Sequence, residues 1–178
     1  MNAKTDQTIY WTLLVHENWR IYLAATSRGL CFVGTPNQPL EEMREWVEKH
    51  FSGSPLVQDD EKVQPYAAEL IEYFQGIRKS FSIPFDVSGT PFQLAVWNAL
   101  REIPYGQTST YSDIALRIQK PAAVRAVGAA IGANPVLFTV PCHRVIGKNG
   151  SLTGYRGGLD VKTKLLQLEK SEGSPTYA

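Results

Sequence analysis

Residues 110–133 read TYSDIALRIQKPAAVRAVGAAIGA, and this run decides the architecture of the second half of the chain. Thr110 suits a helix N-cap, Tyr111 the first helical position, and Asp113 stands three residues after the cap, where it can return the hydrogen bond. Ile114, Ala115 and Ile118 mark an inward face. Lys120-Pro121 breaks the pattern, and Ala122 to Ala133 resumes it. Two short helices separated by a few residues form the pattern of a helix-turn-helix. On the second helix, Ala123, Ala126, Val127, Ala130 and Ile131 make the expected inner stripe. Arg125, Gly128, Ala129 and Gly132 make a nearly bare outer one. Glycine weakens a helix, so two of them beside an arginine point either to an external surface that must approach the backbone or to tight packing within the chain.

Upstream, Thr90-Pro91-Phe92-Gln93 repeats the same helix start, and Phe92, Val96, Trp97 and Leu100 follow as a buried stripe. The first third alternates instead. Ile9 to His16, Trp19 to Thr26 and Leu30 to Gly34 are rich in β-branched and aromatic residues between short breaks, which predicts a three-stranded antiparallel meander. Met43, Trp46, Val47 and Phe51 after Pro39, and Tyr66, Leu70, Ile71 and Phe74 after Pro65, have helical spacing, so two helices are expected on one face of that sheet. Ser80 to Ser88 reads as an extended connection. The resulting division is a sheet-plus-helix domain over residues 1–86, a helical domain over 87–170, and a flexible tail over 171–178.

Downstream, Asn134-Pro135 opens a short apolar segment, expected as a strand, that ends at Pro141-Cys142-His143-Arg144. A lone cysteine is most often a small core residue. Here cationic neighbours follow it at once, and a thiolate is the form that they stabilise and that attacks electrophiles. On extended backbone Cys142 and His143 would point to opposite sides, so His143 would take the proton through a water. Glu169, Asp113 and Asp160 compete to orient its imidazole. Gly154-Tyr155-Arg156-Gly157-Gly158 makes a loop able to offer backbone amides to a planar ligand.

The chain has 178 residues, 43% hydrophobic and 20% charged, which excludes a disordered or fibrous protein. Its net charge of +1 hides an asymmetry: residues 1–86 hold 8 Lys and Arg against 12 Asp and Glu, a net of −4, and residues 87–178 hold 10 against 5, a net of +5. Arg117, Lys120, Arg125, Arg144 and Lys148 fall around the two short helices and favour a nucleic-acid partner. Two cysteines make no disulfide scaffold, and Cys31, His16 and His50 form no recognisable zinc set, so a reducing compartment and no metal are expected. The first residues do not read as a secretory signal. Asn134-Pro135 interrupts the longest uncharged run, Ala126 to His143, so no membrane segment is expected.

Pro141-Cys142-His143-Arg144-Val145, preceded by Asn134-Pro135 and followed by Gly154-Tyr155-Arg156-Gly157-Gly158, resembles the O6-alkylguanine-DNA alkyltransferase family, the methylated-DNA–protein-cysteine methyltransferases. The likeness runs from Thr90 to Glu169 and takes in the Trp97 helix, Pro104-Tyr105-Gly106, Thr110-Tyr111 and Arg125-Ala126-Val127-Gly128. Residues 1–86 match the family only in length and sheet-plus-helix pattern. The resemblance is to a bacterial stand-alone form. It implies an α/β (α+β) two-domain fold, with an RNase H-like N-terminal domain and a mostly helical, winged-helix-like C-terminal domain that holds the helix-turn-helix and the active-site cysteine.

The resemblance also implies roles. Cys142 would be the nucleophile and permanent alkyl acceptor, His143 the water-relayed base, Glu169 the group that orients it, and Asn134 the holder of the turn before the active-site strand. Arg125 would enter the duplex in place of a flipped guanine, and Tyr111 would assist the rotation and protonate the leaving base. Ser112, Lys120, Gly128 and Lys148 would join them in contacting DNA, and Val145, Tyr155 and Arg156 would line the substrate pocket. The implied partner is double-stranded DNA containing O6-alkylguanine and, to a lesser extent, O4-alkylthymine. The implied protein is a cytoplasmic monomer that uses no cofactor. Two other readings of the same residues make different predictions. A helix-turn-helix regulator would bind palindromic DNA as a dimer, although Gly and Ala stand where base-reading side chains belong. A Cys-His-Glu hydrolase would turn over repeatedly, with the Gly157-Gly158 loop as oxyanion hole.

Overall fold

The structure is a computed structural model that describes residues 7–152 and 154–173. It divides into two compact units, Met1–Val87 and Ser88–Ala178. In the first, β1 (Ile9–His16) and β2 (Trp19–Ala25) pair antiparallel with His16 opposite Trp19, and β3 (Leu30–Val33) adds to β2 through an irregularity at Ala24/Ala25. The meander is as expected. After α1 (Leu40–His50) the sheet gains a fourth strand, β4 (Leu56–Gln58), which lies parallel to β1 and gives the order β3-β2-β1-β4. Three residues are too few to show an alternation in sequence.

The next helix, α2 (Asp60–Phe74), begins before Pro65 rather than after it. Asp59 accepts a hydrogen bond from Lys62 N at 3.0 Å, and this cap is strong enough to start the helix with the proline inside it. The two helices also differ from expectation in placement. Ile9 and Trp11 pack with Met43 and Val47 of α1, whereas Tyr10, Thr12 and His16 meet Lys62, Asp60 and Phe74 of α2. Successive strand residues face opposite ways, so α1 and α2 cover opposite faces of the sheet, not one.

The segment expected to be an extended connection runs along the β3 edge. Leu30 N donates to Pro84 O at 3.0 Å, and Asp86 N donates to Leu30 O at 2.9 Å. Gly29 permits the approach, because a Cβ there would stand 2.6 Å from the Pro84 carbonyl oxygen.

In the second unit, α3 (Pro91–Arg101) starts with the full capping box, in which Thr90 Oγ1 accepts from Gln93 N and Gln93 Oε1 accepts from Thr90 N. Thr110 and Asp113 repeat it at α4 (Tyr111–Arg117). These helices and α5 (Val124–Gly132) pack together, and Trp97 Nε1 pins α3 to α5 by a buried 2.8 Å hydrogen bond to Ala130 O. The buried strip of α5 is Val127, Ala130 and Ile131. It is narrower than expected, since Ala126 is exposed and Ala123 is the half-buried N-cap. A two-residue β5 (Ser109–Thr110) pairs in parallel with β6 (Val145–Ile146).

Finally, α6 (Leu159–Gly173) extends past Lys170, so the first three residues assigned to a tail are helical, and residues 174–178 lie outside the described ones. Among the described residues no helix is long and apolar enough to cross a membrane.

Candidate active site

The chain between α5 and the cysteine is not the expected strand. Residues 134–145 are buried throughout, and Leu137 to Thr139 turn tightly, with Phe138 at φ 69°. Asn134 supplies the physical reason. Its Oδ1 accepts from Val136 N at 3.0 Å and its Nδ2 donates to Val140 O at 3.0 Å, so one side chain takes the backbone partners that a sheet would otherwise provide. The same Nδ2 reaches Cys142 Sγ at 3.4 Å. Asn134→Ala leaves a buried donor and a buried acceptor unpaired, and is expected to cost about 2–4 kcal/mol of stability in a urea titration.

Cys142 to Arg144 form a single 3₁₀ turn, so the opposed directions expected for Cys142 and His143 on extended backbone do not apply. With about three residues per turn, successive side chains fan out around an axis. Cys142 lines a cleft, and His143 is fully buried with Nε2 at 2.7 Å from Glu169 Oε2. An ionised carboxylate can fill so short a contact only with a ring N–H, which places the hydrogen on Nε2 and the lone pair on Nδ1.

Glu169 is the centre of a buried cluster. Besides His143 it accepts from Arg144 Nε at 2.8 Å, Arg144 Nη2 at 3.0 Å and Gly106 N at 3.3 Å. Burial works to raise its carboxyl, but the hydrogen bonds and charges of His143 and Arg144 hold it at about 2. Of the competing carboxylates, Asp113 caps α4 and Asp160 is exposed. Burial pushes the Cys142 thiol up, against the Asn134 hydrogen bond and the positive charges of Arg156 and Lys162. Burial pushes His143 down, outweighing the Glu169 interaction that favours its protonation. The resting pair is therefore a thiol beside a neutral imidazole, the arrangement from which a proton can be withdrawn.

One residue of this cluster was read otherwise from sequence. Arg144, placed there among the nucleic-acid cations, is buried, doubly bonded to Glu169, and donates through Nη1 to Ile103 O at 2.7 Å. Arg117 is paired with Glu102 at 3.1 Å. Lys120, Arg125 and Lys148 remain exposed cations on this unit, and Ser112 is half-buried. Lys162, which sequence reasoning missed, is 1% exposed and donates through Nζ to Val145 O at 2.6 Å. Only its helical spacing beside Val161 and Leu165 marked it as inward.

The cleft, about 360 Å³, is lined by Tyr111, Gly128, Ile131, Gly132, Cys142, Gly154, Tyr155 and Arg156. It brings together the α5 glycine face, the first residue of α4, Cys142 and the glycine-rich loop. Val145, expected in it, is buried in β6 and does not line it. A Cβ at Gly128 would meet the Tyr111 ring at 3.9 Å, an ordinary contact, and one at Gly132 would meet nothing within 4 Å. Among the described residues, tight packing is thus not what these glycines serve.

Comparison with known proteins gives a consistent result. Residues 91–171 match the family model described as "6-O-methylguanine DNA methyltransferase, DNA binding domain", and residues 9–87 match its "ribonuclease-like domain". The chain is 65% identical over 167 residues to the inducible methylated-DNA--protein-cysteine methyltransferase of Bacillus subtilis, covering 94% of this chain and 93% of that one. It is 43% identical to a methylated-DNA--protein-cysteine methyltransferase of Methanosarcina acetivorans, over 92% of this chain and 99% of the other. Among solved structures it is similar to Mycobacterium tuberculosis OGT in complex with DNA, with a TM-score of 0.80 and 37% identity over 92% of this chain and 94% of that one.

Proposed function

From the premise that the chain belongs to the 6-O-methylguanine DNA methyltransferase family, we propose that it repairs DNA by moving an alkyl group from O6-alkylguanine to its own Cys142. The observation that carries this reading is the cleft in which Cys142 lies beside the bare face of the second helix of a helix-turn-helix. DNA is the partner. Exposed Arg125 and the Gly128 and Gly132 backbone let α5 enter a minor groove, where one arginine fills the space of the extruded base. Exposed Lys120 and Lys148 supply phosphate contacts, with Ser112 at the first turn of α4.

Chemistry then proceeds from the resting thiol. His143, its Nε2–H held by Glu169, takes the thiol proton through a water, and the thiolate attacks the alkyl carbon in line with the C–O6 bond. The C–O6 bond breaks, guanine leaves with its electron pair, and Tyr111 in the cleft wall donates a proton to it. O4-alkylthymine presents the same kind of bond and is the lesser substrate. Water does not readily displace a thiolate from a thioether, so each chain reacts once and no cofactor is called on. Both cysteines are free thiols, which supports a reducing, cytoplasmic setting, and we assign the monomer as the acting unit.

The test is to mix excess duplex DNA bearing radiolabelled O6-methylguanine with the protein, count the methyl groups on protein and locate them by mass spectrometry. The expected result is about one label per chain, on Cys142, with no further turnover. Tight binding without label would make the protein a lesion sensor or regulator, and repeated turnover without label would make it a hydrolase.

A further inference from the structure

Four ionisable side chains are buried together around the Cys142 turn: His143, Arg144, Lys162 and Glu169. Among the described residues, Glu169 is the only buried carboxylate, and it stands against two buried cations. Arg144 grips it with a fork, Nε on Oε1 at 2.8 Å and Nη2 on Oε2 at 3.0 Å, while Nη1 is fixed on Ile103 O at 2.7 Å. The oxygen on which His143 Nε2 rests, Oε2, is therefore shared with the guanidinium. A carboxylate alone beside an imidazole raises its affinity for a proton, and one that already carries a guanidinium does so much less. The other groups around the ring, among the described residues, are cationic or neutral. Lys162 on α6 donates to Val145 O, Cys142 is a thiol, and the Tyr155 ring stands 6.5 Å away with a phenol that burial keeps protonated. The other helix packed against this turn, α3, has Arg101 as its one charged residue, exposed at its end. On α6, Asp160 is exposed.

We propose that Arg144 is a positioning residue for alkyl transfer: by occupying both oxygens of Glu169 it cancels the carboxylate's charge at the imidazole, so that Glu169 fixes the His143 ring and tautomer without turning it into an imidazolium. The inference rests on the alkyl-transfer reading and assigns the control of its base. A base that is protonated at rest cannot take the thiol proton. With the carboxylate's charge cancelled, Nδ1 is empty when the Cys142 proton arrives through a water. Beside a bare carboxylate it would already be filled. Burial and the charges of Arg144 and Lys162 act in one direction on His143, downward, and Glu169 acts in the other. The two roles are thus divided between two side chains: Glu169 supplies the orienting acceptor, and Arg144 removes the electrostatic consequence of using a charged one. The division has a direct effect on the working range, because the neutral base then persists at a pH where an ordinary histidine is half protonated.

The test titrates the imidazole itself. The His143 ring signals are followed by NMR against pH in the native protein, in Arg144→Met, in Arg144→Lys and in the double variant Arg144→Met with Glu169→Gln. Single-turnover methyl transfer from O6-methylguanine duplex is measured over the same range. In the native protein the His143 midpoint is expected below the ordinary 6.5, with the acid limb of methyl transfer at the same pH. Arg144→Met should move both upward by about one to two pH units, the scale of one neighbouring charge. Arg144→Lys, which keeps the charge and loses the fork, should stay nearer the native midpoint. The double variant removes both charges together and should return the midpoint to within about one unit of the native one, even where its rate is low. It also carries the test if Arg144→Met, with its carboxylate unpaired, does not fold. A purely structural role for Arg144 would lower the rate at every pH and leave the midpoint in place. An unchanged midpoint in folded Arg144→Met, or a larger displacement in the double variant, overturns the role of Arg144 and leaves alkyl transfer untouched. Absence of methyl transfer by the native protein overturns the alkyl-transfer reading, and this role with it, whatever the titration gives.

Discussion

Cys142→Ser is expected to leave no radiolabel on the protein after incubation with O6-methylguanine duplex, while binding to that duplex and thermal stability stay close to the native values. The loss follows from the nucleophile. A serine hydroxyl is far less acidic than a thiol, and a neutral imidazole drawing a proton through a water does not make an alkoxide of it at neutral pH. The retention follows from the surroundings. Serine is smaller than cysteine, and its Oγ can accept the Asn134 Nδ2 hydrogen that now points to Sγ at 3.4 Å. Gel retardation and a melting curve, run beside the label count, check both halves of the expectation. Label remaining on Cys142→Ser would point to Cys31. That thiol is buried in β3, where burial and then the neighbouring Asp86 charge push its pKa far up, so it is poorly suited to attack.

Glu169→Gln is expected to have the second largest effect, and on two observables. The substitution keeps size and shape but removes the charge on which His143 Nε2 and the buried Arg144 guanidinium both rest. An uncompensated buried arginine costs about 3–5 kcal/mol, which a denaturant titration would read directly. Alkyl transfer should fall in parallel, because the imidazole loses the acceptor that fixes its tautomer. Glu169→Asp, which keeps the charge at a shorter reach, should recover part of each.

The pH dependence has a definite sign. The folded carboxyl, at about 2, lies below its ordinary value of 4.5, so its contribution to stability is complete above that value and is lost as pH falls from about 4.5 to about 2. Glu169→Gln should therefore flatten the acid limb of the stability curve. An acid limb identical to that of the native protein would show that the carboxylate contributes nothing there.

The parts of this structure that were legible in sequence are those decided within a few residues. Thr90 with Gln93 and Thr110 with Asp113 set two helix starts by side-chain to backbone bonds three residues apart, and both capping boxes are present. The three meander strands carry enough β-branched and aromatic residues to show themselves. What failed depended on distant partners. Strands β4, β5 and β6, of two or three residues each, exist because another strand lies beside them. Which face of the sheet α1 and α2 cover depends on how the chain crosses it, and helical spacing holds no record of that.

At the site, the Asn134 side chain satisfies backbone groups two and six residues onward, and so replaces a strand with a turn that apolar composition alone does not suggest. Arg144 was misjudged and Lys162 missed for one reason. A charge is visible in sequence, but the buried acceptors at Glu169, Ile103 and Val145 that hold these two inside come from elsewhere in the chain. Cys142 and His143 were legible as neighbours, but the choice of Glu169 over Asp113 and Asp160 came from the family likeness, since a separation of 26 residues between base and carboxylate carries no local signature.

The open face of α5 bears on how this chain can vary over generations. Each glycine in a helix interior forfeits about 1 kcal/mol relative to alanine, and no neighbour among the described residues requires Gly128 or Gly132 to lack a Cβ. Under selection for folding alone, both positions would drift to alanine. On the proposed function, their place in this nine-residue helix leaves room for a ligand surface where the missing methyl groups would have been. The free protein thus forgoes stability that two alanines would add, and on the proposed function that shortfall is the counterpart of a close fit to DNA.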